Sequence, residues 1–514
     1  MAAERVIQRE HVGLRREVTV WGSFTWGYAD VGADVYVALG LVMAAAQGAT
    51  PLAFLIAGIV YIMVGLAYTE MAAAYPSAGG GQYFVLRGLG DFWGLVAGSA
   101  LMLAYTVDVA LFAMASAGYI NFFFPQFREF HIPVPLAGSI NLIWLGETLI
   151  LIALLVILNI RGIRESSLLN QVLGALDMIL ETSIVVIGFL FAWNPEYFIH
   201  QWQTEFPPLE RLLYATSLAV ISYVGLESVS QAAEETVRPA AVIPRTSMAL
   251  IIVVLLFALA FPVVSLGILP WHEVGGREGD PVALLASRLP FVGFLAGPAA
   301  AILAATILLI SANTGVMGSS RLAYSMAQLG LMGEGLSEVH PRYRTPVKSI
   351  VFFSFISAMM AILAFFSGRR ALEAMADLYA FGAMLAYFLS TIALVVLRIR
   401  EPHVPRPYRM PLNLRWRGVE IPLLGILGIV GTGLMLAVVM WTHPIAQVAG
   451  PLWVAIWIGY YIWYRKRTGR PIWKSLPRDW IAEQIRILEN SGEWDLLERF
   501  RIEVEHWRRS QKGA

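Results

Sequence analysis

The sequence predicts an all-α membrane protein of twelve transmembrane helices, on three observations. The chain of 514 residues is 58% hydrophobic and 14% charged, with a mean hydropathy of +0.65. Soluble proteins average about 45–50% apolar and about 25% charged residues. The apolar residues come in runs of roughly twenty, enough for a helix to cross a ~30 Å hydrocarbon layer. The arginines gather in the segments between the runs. This composition excludes a disordered chain and argues against an ordinary soluble enzyme. With no cysteine, disulfides, thiolate metal sites and cysteine nucleophiles are excluded outright. A net charge of +1 gives no overall attraction for nucleic acid.

The runs fall near residues 20–46, 51–75, 91–124, 139–160, 168–193, 211–233, 244–269, 292–327, 346–367, 373–398, 419–442 and 446–466. Several contain Gly or Ser, which membrane helices tolerate. The first is too long for the apolar core of a signal peptide, and a second run follows it at once. With the N-terminus inside, the outer segments hold Arg128, Arg277, Arg288, Arg369 and Arg370. The inner segments hold many more, from Arg5 and Arg9 to Arg415 and Arg417. Basic residues concentrate on cytoplasmic loops, so both termini are expected in the cytoplasm, with the protein in the cell (inner) membrane. Residues 1–18 then form a cytoplasmic N-terminus, 19–466 the twelve-helix domain and 467–514 a cytoplasmic tail. The tail carries two amphipathic stretches separated by Asn490-Ser491-Gly492, a helix stop signal. Leu497, Phe500, Val504 and Trp507 recur at helical spacing. That pattern suits a helix packed on the cytoplasmic face, or an element for a homodimer or for regulation.

Ionisable residues inside the runs are the chemical signal, because burying charge in a membrane is costly. They are Asp30, Asp34, Glu70, Asp108, Glu147, Asp177, Glu181, Glu227 and Asp377. No Lys or Arg lies deep in any run by these boundaries, so the carboxylates have no evident cationic partner. A buried carboxylate in that position takes up a proton or binds a cation. Glu70, Glu147, Glu181 and Asp377 read as helix-end or hydrogen-bonded acids. Asp30, Asp34, Asp177 and Glu227 read as functional.

Two runs look interrupted. The first contains Tyr28-Ala29-Asp30-Val31-Gly32-Ala33-Asp34-Val35-Tyr36. A mid-helix Gly costs roughly 1 kcal/mol relative to Ala, and carboxylates at i and i+4 repel. The sixth contains Ser222-Tyr223-Val224-Gly225-Leu226-Glu227-Ser228, and its Val-Gly-Leu-Glu echoes the earlier Val-Gly-Ala-Asp. The two segments open the two five-helix halves of the chain. Interrupted helices at matching positions of two halves point to a transporter binding site. Such a break turns N–H groups of one half-helix and C=O groups of the other toward a ligand. Tyr36 and Tyr223 are placed to act as aromatic lids.

Four motifs resemble the amino acid–polyamine–organocation (APC) superfamily, over about residues 15–465. The first is the Gly-interrupted first run. The second is Tyr68-Thr69-Glu70-Met71 with Tyr75-Pro76-Ser77-Ala78-Gly79-Gly80-Gly81-Gln82-Tyr83. The third is Gly225-Leu226-Glu227, Glu234-Glu235 and Arg238-Pro239 through Ile243-Pro244-Arg245. The fourth is Asn313 through Gly318, Ser320-Arg321, Met326-Ala327, Gly330 and Thr345-Pro346. The glycine run is not a phosphate loop, since no Lys-Ser/Thr follows it.

The resemblance implies a five-plus-five inverted repeat with discontinuous helices 1 and 6. It also implies alternating access and a midplane site between spans one, three, six and eight. The substrate-binding residues so implied are Asp30, Val31, Gly32, Ala33, Asp34, Tyr105, Asp108, Ser222, Tyr223, Gly225 and Glu227. Family Na⁺ sites use first-span carbonyls and eighth-span hydroxyls, which here implies Ser311 and Thr314. Some proton-coupled members place a fifth-span Lys there, where this chain has Asp177. Acids in the first span shift weight toward cationic substrates.

The expected function is therefore secondary active transport of amino acids or related organic amines, proton- or cation-coupled. The alternative is K⁺ uptake on the same fold. The expected partners are a small-molecule amine or cation, a coupling H⁺ or Na⁺, and membrane lipid, with no nucleic acid. No cofactor, metal site or catalytic residue is expected, because neither a paired His-x-x-x-His nor a nucleophile elbow occurs.

Overall fold

The structure is a computed structural model that describes residues 19–512 except 78, 129, 135–137, 162–165, 232, 234–235, 278, 368–369 and 417–418. The expected N-terminal segment 1–18, Ala78, Arg164, Glu234-Glu235, Arg369 and Arg417 lie outside the described residues. Eleven helical stretches among the described residues are long and apolar enough to cross a membrane. The first, Val20–Ala74, holds α1 (Val20–Val31), α2 (Asp34–Ala46) and α3 (Thr50–Ala74), with a 3₁₀ turn at Gln47–Ala49. A short α4 (Gly80–Leu89) leads into α5 (Asp91–Ile120). Then come α6 (Leu142–Arg161), α7 (Ser166–Ile187), α8 (Leu209–Ala219) and α9 (Glu227–Gln231). The chain continues through α10 (Pro239–Ile268), α11 (Gly293–Gln328), α12 (Val347–Phe365) and α13 (Ala371–Arg400). It ends with α14 (Leu423–Thr442), α15 (Pro444–Arg467), α16 (Trp480–Ser491) and α17 (Trp494–Lys512).

Burial sorts these helices into inner and outer. The apolar window of α5 is wholly buried, whereas those of α6 and α15 are 28% and 22% buried. Ile150 and Val448 are 69% and 68% exposed on the outer helices. An apolar surface this large is that of an integral membrane protein, where lipid rather than water meets it. At the centre, α5 packs closely on α11. A Cβ on Gly315 would stand 2.3 Å from Asp108 Oδ2 and 2.9 Å from the Tyr105 carbonyl, so only glycine lets the backbones meet there.

Several boundaries differ from those read in the sequence. The seventh helix starts at Pro239 rather than 244, because Pro at the first turn lacks only an N–H that would be unpaired anyway. The eleventh starts at Leu423 rather than 419. Its first residues, Val419–Pro422, pair instead with Asn413–Trp416 as an antiparallel hairpin, Asn413 opposite Pro422. A second hairpin joins Ile132–Val134 to Gly138–Ile140 just before α6, which starts at Leu142 rather than 139.

Candidate functional site

Both interrupted runs are interrupted in the structure, but differently. Between α1 and α2 only Gly32 and Ala33 intervene, and both stay near helical angles. The Gly32 N–H still reaches the Tyr28 carbonyl at 2.7 Å, and Tyr36 N–H reaches the Ala33 carbonyl at 3.1 Å. The second break is wider. After α8 comes a 3₁₀ turn at Val220–Tyr223, then extended Val224, then Gly225 at φ +117°. L-residues rarely adopt that angle, so glycine is required. A Cβ on Gly225 would meet Val31 Cγ2 at 2.8 Å and Asp30 Oδ2 at 3.0 Å. The two breaks therefore abut.

Carboxylates surround this junction. Thr314 donates its hydroxyl to Asp30, and Ser311 Oγ lies 3.4 Å from both Asp30 Oδ1 and the Asp30 carbonyl. Glu227 accepts from the Tyr387 hydroxyl at 2.5 Å and from Gly225 N–H at 3.1 Å. Ser228 Oγ caps the Gly225 carbonyl at 2.7 Å. Both oxygens of Asp34, Oδ1 of Asp108 and the hydroxyl of Ser222 are buried without a hydrogen-bond partner. Among the described residues, no hydrogen bond or ion pair joins an arginine or lysine to Asp30, Asp34, Asp108 or Glu227. Uncompensated carboxylates in a dry interior are costly, so the arrangement favours a cationic guest or bound protons. A narrow crevice lined by Asp30, Tyr105, Ser228, Gln231, Thr314 and Arg321 runs from the junction. The Tyr105 hydroxyl accepts from the Gln231 amide across it.

The residues expected to handle the coupling ion fall into two groups. Ser311 and Thr314 join Asp30. Asp177 is elsewhere, accepting from the Tyr36 hydroxyl at 2.6 Å, beside Glu181, which accepts from Tyr28. The lid reading for the tyrosines gives way as well. Tyr36 is committed to Asp177, and Tyr223 donates to the Phe54 carbonyl at 2.8 Å and stacks on Tyr61.

The sequence reading left Glu70 without a cationic partner, and the structure corrects it. Arg398, at the end of α13, folds onto Glu70 with Nε at 2.7 Å and a second bond from Nη2. Arg406 Nε stands at 3.5 Å and the Met410 N–H at 2.9 Å. Glu147 accepts from Asn121 at 2.7 Å, and Asp377 meets His443 Nδ1 at 2.6 Å. Residues the sequence reading missed are Tyr28, Tyr387 and Gln231, whose roles depend on partners far along the chain and carry no local signal.

The tail packs across one end of the bundle. Gln484 donates to the Ala74 carbonyl at 2.9 Å and accepts from Arg87 at 2.8 Å. Glu493 accepts from the Ala240 N–H at 3.1 Å. Arg478 binds Asp91 and the Leu329 carbonyl, and Arg465 also binds Asp91. Leu497, Phe500 and Val504 are buried, and His403 lies against Phe500 and Trp507 at ring distances of 6.0 and 4.6 Å.

Comparison with known proteins adds a family. The family model described as amino acid permease matches residues 21–463. The branched-chain amino acid permease BcaP of Bacillus subtilis (strain 168) is 25% identical over 409 residues, 77% of this chain and 84% of that protein. Cationic amino acid transporter 4 of Mus musculus is 29% identical over 392 residues, 73% of this chain. The chain spans 58% of that mouse protein's length. The methylthioribose transporter of Bacillus subtilis (strain 168) is 23% identical over 451 residues, 85% of this chain and 91% of that protein.

Proposed function

The chain belongs to the amino acid permease family, a family of membrane transporters rather than enzymes, and from that premise we propose that it moves an amino acid or related organic amine across the cell membrane by alternating access. Twelve crossings follow from counting Val20–Ala74 twice. Its 55 residues would make a helix of about 80 Å at ~1.5 Å per residue, far more than a ~30 Å core. On this reading the first ten crossings form a five-plus-five inverted repeat. The end bearing the tail is cytoplasmic, the N-terminal segment lies on the same side, and the tail braces that face or joins two copies.

The observation that carries the reading is the junction of the two breaks. Gly225, following Ser222 and Tyr223, packs against Asp30 and Val31 beside Gly32 and Ala33, with Asp34, Asp108 and Glu227 around it and Tyr105 at its edge. An ammonium group suits those carboxylates. Ser311 and Thr314 with Asp30 form the candidate Na⁺ site, and Asp177 the candidate proton site. A second reading, inorganic cation uptake, draws support from Asp34. This carboxylate opens α2, so it repels the carboxylate that a free amino acid would bring to that helix N-terminus.

The test is uptake by proteoliposomes holding the purified protein under an imposed pH or Na⁺ gradient. Labelled arginine, leucine, putrescine and rubidium are offered in turn. Amine or amino acid uptake supports transport of organic substrates; rubidium flux alone replaces it with the second reading.

A further inference from the structure

We propose that Asp177 and Glu181 form one proton-binding pair that braces the two halves of the first broken helix against α7. The use of this brace in transport rests on the function proposed above; its existence rests on geometry alone.

Asp177 and Glu181 are one turn apart on α7, so they share a face. Both are fully buried. Each holds a different half of the interrupted helix. Tyr28, on α1, donates to Glu181; Tyr36, on α2, donates to Asp177 Oδ1 at 2.6 Å. Gly32 and Ala33 lie between the two tyrosines.

The remaining oxygens, Asp177 Oδ2 and Glu181 Oε1, are buried with no hydrogen-bond partner. The groups facing the pair are Tyr28 from α1, Tyr36 from α2 and Tyr119 from α5. Helices α10 and α11 also pack on α7, and their ionisable residues are Arg245, Arg321 and Tyr324. Among the described residues none of these three bonds to either carboxylate. Two anions one turn apart without a cation are disfavoured, and one shared proton removes half of that charge. The proton also supplies a donor for an otherwise bare oxygen.

The mechanical consequence follows from bond strength. A hydroxyl bound to a carboxylate makes a charge-assisted hydrogen bond, roughly twice as strong as a neutral one. Loss of the shared proton therefore leaves both halves of the helix held by charge-assisted bonds. Gain of the proton weakens one grip and frees the halves to move relative to each other across Gly32.

Infrared difference spectroscopy of the reconstituted protein reads the pair directly, through the carboxylic-acid C=O band as pH changes. The double variant of Asp177→Asn with Glu181→Gln should lose one proton's amplitude, whereas each single variant keeps one buried carboxyl that still binds that proton, so the single losses do not sum to the double one. Hydrogen exchange of residues 28–36, corrected for intrinsic rates, should be faster at acid pH in the wild type. Tyr28→Phe and Tyr36→Phe, which keep the packing, should keep the band but lose the pH dependence of exchange in their own half. Additive losses in the single variants, an unchanged band in the double variant, or unaltered exchange in both tyrosine variants would overturn the proposal. No uptake by wild-type liposomes would instead overturn the transport reading and leave the titration standing.

Discussion

Gly225→Ala is the sharpest probe of the junction. The residue sits at φ +117°, and an added Cβ would stand 2.8 Å from Val31 Cγ2 and 3.0 Å from Asp30 Oδ2. Holding a non-glycine residue at such an angle costs about 1–3 kcal/mol. Forcing a methyl into a filled space costs about 1–3 kcal/mol more. The strain falls on the conformation with the breaks abutting, so that state loses roughly 2–6 kcal/mol. Even the lower bound is about 30-fold in population or rate, at ~1.36 kcal/mol per factor of ten. Initial uptake rates in proteoliposomes and thermal unfolding of the purified protein measure it. Gly146→Ala is the control, since a Cβ there has no heavy atom within 4 Å. Wild-type uptake and unfolding temperature in Gly225→Ala would refute the reasoning that the breaks must touch.

Two other outcomes follow from pairs outside the junction. Glu70→Gln leaves Arg398 and Arg406 together without their anion, and breaking a buried pair costs about 3–5 kcal/mol. Replacing Arg398 by Met in the same chain should restore most of the lost thermal stability, and equal stability of wild type and Glu70→Gln would count against the pair. The second outcome concerns pH. Burial holds the His403 imidazole below its ordinary value, with Arg87 and Arg406 adding to that effect and Glu401 and Glu503 opposing it. His403, in the loop that the tail covers, thus binds fewer protons with the tail docked than with it released. Tail docking is complete above the ordinary histidine value near ~6.5 and weakens as pH falls below it. Limited proteolysis of residues 494–512 across pH should show this. Cleavage that ignores pH, or that keeps its pH response in His403→Phe, would contradict it.

The spans and breaks were legible because they are written locally. A run of about twenty apolar residues is a length, and Gly225 marks a backbone angle that glycine alone adopts easily. Helix starts were less legible, because Val419–Pro422 adjoins an apolar run yet pairs as a strand. The ion pairs were not legible at all. Glu70 and Arg398 are 328 residues apart, and Tyr28 and Glu181 are 153 apart. Which helix faces which is decided by packing, and no periodicity in one segment records its neighbour. For the same reason Asp177 looked like a companion of Thr314. Position along α7 cannot tell whether a side chain turns toward α11 or toward Tyr36.

The distance in sequence between Glu70 and Arg398 is also a distance in time. A ribosome adding about 5–20 residues per second makes the arginine roughly 16–66 s after the glutamate. Through that interval the second apolar run already carries a carboxylate whose cation does not yet exist. The nascent chain has to carry Glu70 without its partner until the tenth run arrives. Formation of this pair therefore marks a late stage of assembly, when the second and tenth runs first close on each other.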